Sequence, residues 1–84
     1  MNGRRVYGKA PHELEVGDYG RWDADTGNWH ARVPDGKLAN LGAHTVVEHE
    51  DGSITVNPSI LVTQPGESPP EWHGFLERGV WRSV

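Results

Sequence analysis

Apolar and polar residues alternate on both sides of an Asp-Gly pair near the middle of the chain. The segment from His44 to Leu61 reads HTVVEHEDGSITVNPSIL, and Asp51-Gly52 separates two runs of period two. Alternation of this kind is typical of half-buried β-strands, and an Asp-Gly pair between two such runs is typical of a β-hairpin with a two-residue loop. The sequence therefore predicts a hairpin here, with a defined pairing of its strands.

The predicted loop length fixes which face of this hairpin each side chain occupies. With a two-residue loop, Val47 lies opposite Val56, and His49 lies opposite Ile54. These four residues share the more apolar face, which we expect to face the core. The other face is expected to meet solvent, and it carries Val46, Glu48 and Thr55. Because proline cannot continue a central ladder, Asn57-Pro58-Ser59 is expected to interrupt the second strand.

The same kind of pattern predicts a small set of further elements. They are a hairpin over residues 18–33 with its turn at 23–27, a hairpin over 72–84 with its turn at 77–79, one helical turn at Pro11–Glu15, a frayed or edge strand at 1–10, and an exposed loop at 64–71. Strand signals recur roughly every ten residues. The sequence therefore predicts one small all-β domain spanning residues 1–84, an antiparallel barrel or sandwich built from hairpins.

Composition excludes several classes of site and partner. The chain has 84 residues, no cysteine and a formal net charge of −4. The absence of cysteine rules out disulfides and thiolate metal sites. Because phosphate backbones and anionic lipids require a basic surface, we expect neither a nucleic-acid nor a membrane partner. No apolar run has the length of a transmembrane helix, so a soluble, intracellular protein is the expectation.

Five histidines are more than a chain of this size needs, and they raise the hypothesis of a metal site. Zinc requires three or four imidazole or carboxylate ligands that converge. His44 and His49 are five residues apart and point to opposite faces of a regular strand. A zinc site centred on His49 and His73, with His30, could still converge across strands. In the alternative interpretation these histidines are ordinary polar strand or turn residues.

Four tryptophans are the largest side chains available to a thin core or to a binding surface. Trp72 and Trp81 lie in the last predicted hairpin, and we expect them in the core. Trp22 and Trp29 flank a predicted turn and are the candidates for an exposed binding patch. Stacking of a sugar, a base or another small ligand on tryptophan is a further alternative.

The sequence carries no recognisable catalytic constellation. It contains no Gly-x-Ser-x-Gly elbow, no cysteine nucleophile and no phosphate-binding glycine loop of Walker or Rossmann spacing. Glu48 and Glu50 are expected on the solvent face, where acidic side chains discourage edge-to-edge pairing of strands. These features favour a protein that is not an enzyme.

Two segments resemble a family of small uncharacterised proteins of actinobacterial phages and their hosts. They are EHEDGSITVNPSILV, from Glu48 to Val62, and WHGFLERGVWR, from Trp72 to Arg82. The resemblance implies a phage-encoded, cytoplasmic, all-β protein. Some members of the wider family carry cysteines in an arrangement suited to zinc, and of those ligand positions only His73 has a counterpart here.

The leading hypothesis is a non-enzymatic module that binds a host protein, a phage protein or a second copy of itself. It could do so through the edge of an exposed hairpin or through the patch around Trp22 and Trp29. The histidine-based zinc domain, structural or hydrolytic, is the alternative. A small-ligand binder that uses tryptophan stacking is a weaker one.

Overall fold

The computed structural model describes residues 1–22 and 27–84, so most of the turn predicted at 23–27 lies outside the described residues. The described residues form one 3-10 turn, Pro11–Glu13, and eight strands. The strands are β1 (Arg4–Arg5), β2 (Asp18–Arg21), β3 (Trp29–Arg32), β4 (Leu38–Asn40), β5 (Thr45–Glu48), β6 (Ile54–Thr63), β7 (Glu71–Glu77) and β8 (Val80–Ser83). Strands β1 to β4 form one sheet and β5 to β8 another, each in sequence order. Only β1 and β2 run parallel. The predicted all-β class is confirmed, and its form is a two-sheet sandwich.

The core lies between the two sheets and takes alternate residues from each. In β6 the buried positions are Ile54, Val56, Ile60 and Val62. Trp72 and Trp81 are also buried, as predicted, and their rings meet edge to face with centroids 5.6 Å apart. The first sheet contributes mostly smaller side chains to this cluster, namely Tyr19, Ala31, Val33, Ala39 and Leu41. Two large rings on one sheet thus pack against small side chains, including two alanines, on the other.

The pairing predicted for the β5–β6 hairpin is wrong by one residue. Val46 lies opposite Val56, and Glu48 lies opposite Ile54. The loop has three residues rather than two. His49 N–H donates to the Ser53 carbonyl at 2.8 Å, and Gly52 N–H donates to the His49 carbonyl at 3.0 Å. Gly52 has a φ of +88°, as expected where a left-handed glycine follows a tight turn in a three-residue loop.

A shift of one residue turns each side chain of the shifted strand to the other face of the sheet. Val46 therefore packs against the core. Val47 is 47% exposed on the outer face, and His49 shares that face. The core positions predicted for Val47 and His49 are wrong, whereas Ile54 and Val56 are buried as predicted.

The interruption predicted at Asn57-Pro58-Ser59 takes the form of a shift in pairing within one continuous strand, β6. The strand runs on to Thr63, and its pairing with β7 shifts register between Val56 and Ile60. A bulge leaves residues unpaired, so it accommodates a proline that has no N–H to donate. The last hairpin agrees with its prediction, because Glu77 pairs with Val80 around a turn in which Arg78 and Gly79 both have positive φ.

Residues 1–5 join the two sheets. Trp81 N–H donates to the Met1 carbonyl at 2.8 Å, and Gly3 N–H donates to the Gly79 carbonyl at 2.7 Å, so the chain begins beside β8. Arg4 and Arg5 then pair with β2 in the other sheet. The predicted edge strand at residues 1–10 thus exists over these two residues. In the part of the chain that the structure describes, no helix is long and apolar enough to cross a membrane.

Candidate functional site

The three histidines predicted to bind zinc have different neighbours. His30 is buried, with Nδ1 3.2 Å from the Asn28 carbonyl oxygen. His49 Nε2 lies 2.7 Å from Thr55 Oγ1. His73 Nε2 lies 2.8 Å from a serine hydroxyl on β6. Over residues 1–22 and 27–84 there is no group of three or more histidine or acidic side chains placed to hold a metal. The zinc hypothesis stays a prediction, without an assembled ligand set to support it.

Ser59 joins two histidines that the sequence analysis did not connect. Its Oγ contacts His73 Nε2, and its carbonyl oxygen lies 3.2 Å from His44 Nε2. The Nδ1 atom of His44 is buried and has no hydrogen-bond partner among the described residues. Ser59 lies within the register shift of β6. The interruption predicted at Asn57-Pro58-Ser59 is the one feature of the sequence that marks this position. Two imidazoles held on one serine fix the side chains around the bulge.

The two tryptophans predicted to form an exposed patch are both partly buried. Trp29 packs against the core cluster, and its ring lies 4.7 Å from the Arg5 guanidinium carbon. Trp22 follows β2, and its main-chain N–H donates to the Asn28 carbonyl at 3.2 Å. Trp29 is therefore engaged within the protein to an extent that the sequence did not indicate.

Arg5 connects the first sheet to the β5–β6 hairpin of the second. Its guanidinium carbon lies between the rings of Tyr7, at 4.4 Å, and Trp29. Its Nη1 donates to Glu48 Oε2 at 2.6 Å and to the Gly52 carbonyl at 2.9 Å. The planar guanidinium can stack and donate in its plane at the same time, which a lysine ammonium cannot do. These contacts hold the hairpin against the edge of β1.

Strand β5 is the candidate binding edge of the sandwich. Among the edge strands of the two described sheets, β1 has two residues and β4 has three. The outer edge of β8 is covered by residues 1–3, through the bridge of Asn2 to Val80. Strand β5 has four residues, and in the described part of the chain no strand lies on its outer side. Among the described edge strands it is the longest with no strand on its outer side, and the adjacent strand β6 continues past it from Pro58 to Thr63.

The geometry of the β5–β6 hairpin determines which main-chain groups of β5 face β6 and which face away from the sheet. His49 N–H points towards β6, where it donates to Ser53. In an antiparallel pair the main-chain groups alternate in direction, so Thr45 and Val47 also point towards β6. Val46 and Glu48 therefore direct their N–H and C=O groups away from the sheet. An incoming strand would meet these groups first.

Acidic side chains surround the loop end of this edge. Glu48, Glu50 and Asp51 line a surface depression of about 450 Å³, together with His49 and Arg78. A second depression of about 380 Å³ lies on the outer face beside Val47 and Thr55. The chain as a whole carries a formal charge of −4. The edge thus combines unpaired main-chain groups with a negative potential.

Two turn aspartates have lowered pKa values. Burial by itself raises the pKa of Asp35, but hydrogen bonds from the Lys37 ammonium, 2.5 Å away, and from the Lys37 N–H outweigh burial and lower it. In the β5–β6 loop, hydrogen bonds from the Ser53 hydroxyl and N–H lower the pKa of Asp51. Both carboxylates are therefore more acidic in the folded state than in the unfolded chain.

A lowered pKa stabilises the fold while the group is ionised, so stability is expected to fall in acid. The contribution is present above the unfolded pKa, near 3.8, and is lost as the pH falls through the lowered folded pKa. Urea unfolding followed by circular dichroism at neutral pH and below about pH 4 measures this loss. Asp35→Asn and Asp51→Asn should each reduce the fall in the free energy of unfolding between neutral pH and acid. If both variants lose as much stability in acid as the parent protein does, other groups cause the loss.

Fold and site together define a small all-β sandwich in which β5 is the longest described edge strand without a strand on its outer side, next to an acidic hairpin loop. Comparison with models of protein families, with curated proteins and with solved structures found no match to this chain. Its function is therefore argued from the edge itself.

Proposed function

We propose that this protein is a non-enzymatic binding module that adds an extended segment of another protein to its second sheet, along β5. The observation that carries the proposal is the uncovered edge of β5 beside an acidic hairpin loop. Main-chain hydrogen bonds provide the affinity in this mode of recognition, and alternate side chains provide the specificity.

The charge of the edge determines the chemistry of the partner segment. Glu50 has no ion pair with a described residue, and Asp51 bonds only within its own loop. Lysine or arginine side chains of an incoming strand would lie close to these carboxylates. Its alternate residues would meet the half-exposed Val47 on the outer face. The expected ligand is therefore an extended segment in which apolar and basic residues alternate.

Pairing of β5 with the β5 of a second copy is the competing form of this proposal. Two copies would each bring a formal charge of −4 to the interface, whereas a basic partner would neutralise it. Charge complementarity therefore favours a different protein. The resemblance over Glu48–Val62 and Trp72–Arg82 extends the proposal to a phage-encoded protein that acts on a host or phage partner.

The replacement Glu48→Pro tests the edge directly. The main-chain N–H of Glu48 points away from β6, so proline removes a donor that the fold does not use. Proline is also tolerated on edges of this kind. Binding is measured by calorimetry against synthetic peptides in which valine alternates with lysine, glutamate or serine. We expect the lysine series alone to bind, and we expect Glu48→Pro to weaken it at least about tenfold, the equivalent of one or two hydrogen bonds.

Glu48→Ala is the matched control, because it loses the same contact with Arg5 but keeps the N–H. It should keep most of the affinity of the parent protein for the lysine peptides. Equal binding of all three peptide series, or equal loss in both variants, would contradict pairing along β5. Light scattering without peptide tests self-association, and a dimer that Glu48→Pro dissociates would replace the basic partner with a second copy.

A further inference from the structure

A neighbouring depression of about 390 Å³ lies where residues 1–5 cross from one sheet to the other, and it shares Asp51 and Arg78 with the acidic depression beside β5. Three arginines from two elements line it: Arg4 and Arg5 of β1, and Arg78 of the β7–β8 turn. Its other polar lining residues are Asn2, Tyr19, Asp51 and Ser53. Asp51 is the one carboxylate among the described lining residues. The depression therefore differs in charge from the acidic one beside β5.

Two of the three guanidinium groups are fixed by carboxylates. Arg4 Nε and Nη2 each donate to the buried Asp18 carboxylate at 3.1 Å. Arg5 is held by Glu48 and by the rings that enclose it, and its Nε is buried without a hydrogen-bond partner among the described residues. These contacts set the direction of both side chains before any ligand arrives, which reduces the entropy lost on binding.

Arg78 has an unusual backbone and an unsatisfied side chain. It has a φ of +45° at the first turn position, where asparagine, aspartate or glycine are favoured. Its N–H donates to Thr55 Oγ1 at 3.0 Å, which holds the turn in place. Its guanidinium has no hydrogen bond or ion pair with a described residue. A strained backbone beside an unpaired cation that borders all three depressions of this surface indicates a role in binding rather than in folding.

Two closely packed glycines also line the depression. A Cβ on Gly79 would lie 2.7 Å from Tyr19 Oη, and a Cβ on Gly3 would lie 2.9 Å from the Gly79 carbonyl oxygen. No side chain fits at either position without a shift of its neighbours, so the main chain itself forms this part of the surface. Burial raises the pKa of Tyr19, so its hydroxyl is protonated at neutral pH and can donate a hydrogen bond.

We propose that this depression binds the phosphate group of a small phosphomonoester. Guanidinium groups match the oxygens of a phosphate in geometry and charge, and charge-assisted hydrogen bonds of this kind are strong. The volume falls within the range of about 300–1,000 Å³ that is typical of small-molecule sites, so it leaves room for the organic part of an ester. Asp51, at the rim, can accept a hydrogen bond from a hydroxyl of that part.

Titration of the full chain with glycerol phosphate, inorganic phosphate and acetate, followed by amide chemical shifts, tests the proposal. We expect saturable binding that is tightest for glycerol phosphate, with shifts at Gly79 and Ser53. Arg78→Gly should weaken binding at least about tenfold, because it removes a charge-assisted contact. The same variant should keep or raise the melting temperature, since glycine adopts positive φ without strain.

Arg82→Ala is the control, because this arginine lies on the same hairpin but pairs with Glu77. It should leave the affinity for glycerol phosphate unchanged. Absence of saturable binding, or equal affinity in Arg78→Gly and the parent, would overturn the site. Acetate binding as tightly as glycerol phosphate would overturn the phosphate assignment, and inorganic phosphate binding as tightly would overturn the ester. None of these readouts depends on a strand bound at β5.

Discussion

Replacing Trp81 with alanine is expected to lower the free energy of unfolding by about 4 kcal/mol, the usual loss for a buried tryptophan. The ring is 2% exposed and packs edge to face on Trp72. Its indole N–H donates to the buried Gly17 carbonyl at 3.0 Å, which links β8 to the start of β2 in the other sheet. Urea unfolding followed by far-ultraviolet circular dichroism gives the difference.

A pair of phenylalanine variants separates the hydrogen bond from the lost volume. Trp81→Phe and Trp72→Phe remove the same atoms from buried positions, but the Trp72 indole has no hydrogen bond to a described residue. Trp81→Phe should therefore be the less stable variant by about 0.5–1.5 kcal/mol, the net contribution of one hydrogen bond, because the Gly17 carbonyl still accepts from the Arg4 main-chain N–H. Equal stability of the two variants would show that the bond to Gly17 contributes nothing.

Replacing Arg5 with alanine is expected to lower the free energy of unfolding by about 2–4 kcal/mol. The change removes two charge-assisted hydrogen bonds and two cation–π contacts, and it leaves the rings of Tyr7 and Trp29 without the group between them. Arg5→Lys should recover less than half of the loss, because an ammonium cannot stack and donate as a guanidinium does. Chemical unfolding of both variants measures this.

Arg82→Ala is the reference for Arg5→Ala. Arg82 also pairs with a glutamate and lies over an aromatic ring, that of Phe75, but its side chain is 66% exposed. Exposed pairs are weak, so its loss should cost less than about 1 kcal/mol. If both alanine variants lose the same stability, Arg5 does not connect the two sheets in the way its contacts indicate.

Local pattern was sufficient to predict the fold class, the last hairpin and the burial of Trp72 and Trp81. It was insufficient for the pairing of β5 with β6, because an Asp-Gly pair suits both a two-residue loop and a three-residue loop with a left-handed glycine. The two loops differ by one residue and exchange the faces of Val46 and Val47. The same ambiguity led to the incorrect prediction that His49 faces the core.

The contacts of the candidate sites depend on residues that are distant in sequence. Arg5 meets Glu48 across 43 residues, and Ser59 meets His73 across 14. No periodicity within a strand indicates which side chain lies across the sandwich. Arg78 is visible in the sequence as an unusual residue for a tight hairpin turn, but only the fold reveals the depressions that it lines.

The bridge made by residues 1–5 also affects how the chain can fold. Met1 and Trp81 are 80 positions apart, yet their main chains bond to each other. Contacts of such high sequence separation slow folding, because a long loop must close before they form. During synthesis, residues 1–3 cannot form these contacts until β8 has been made. The sandwich is therefore expected to close only after β8 has left the ribosome.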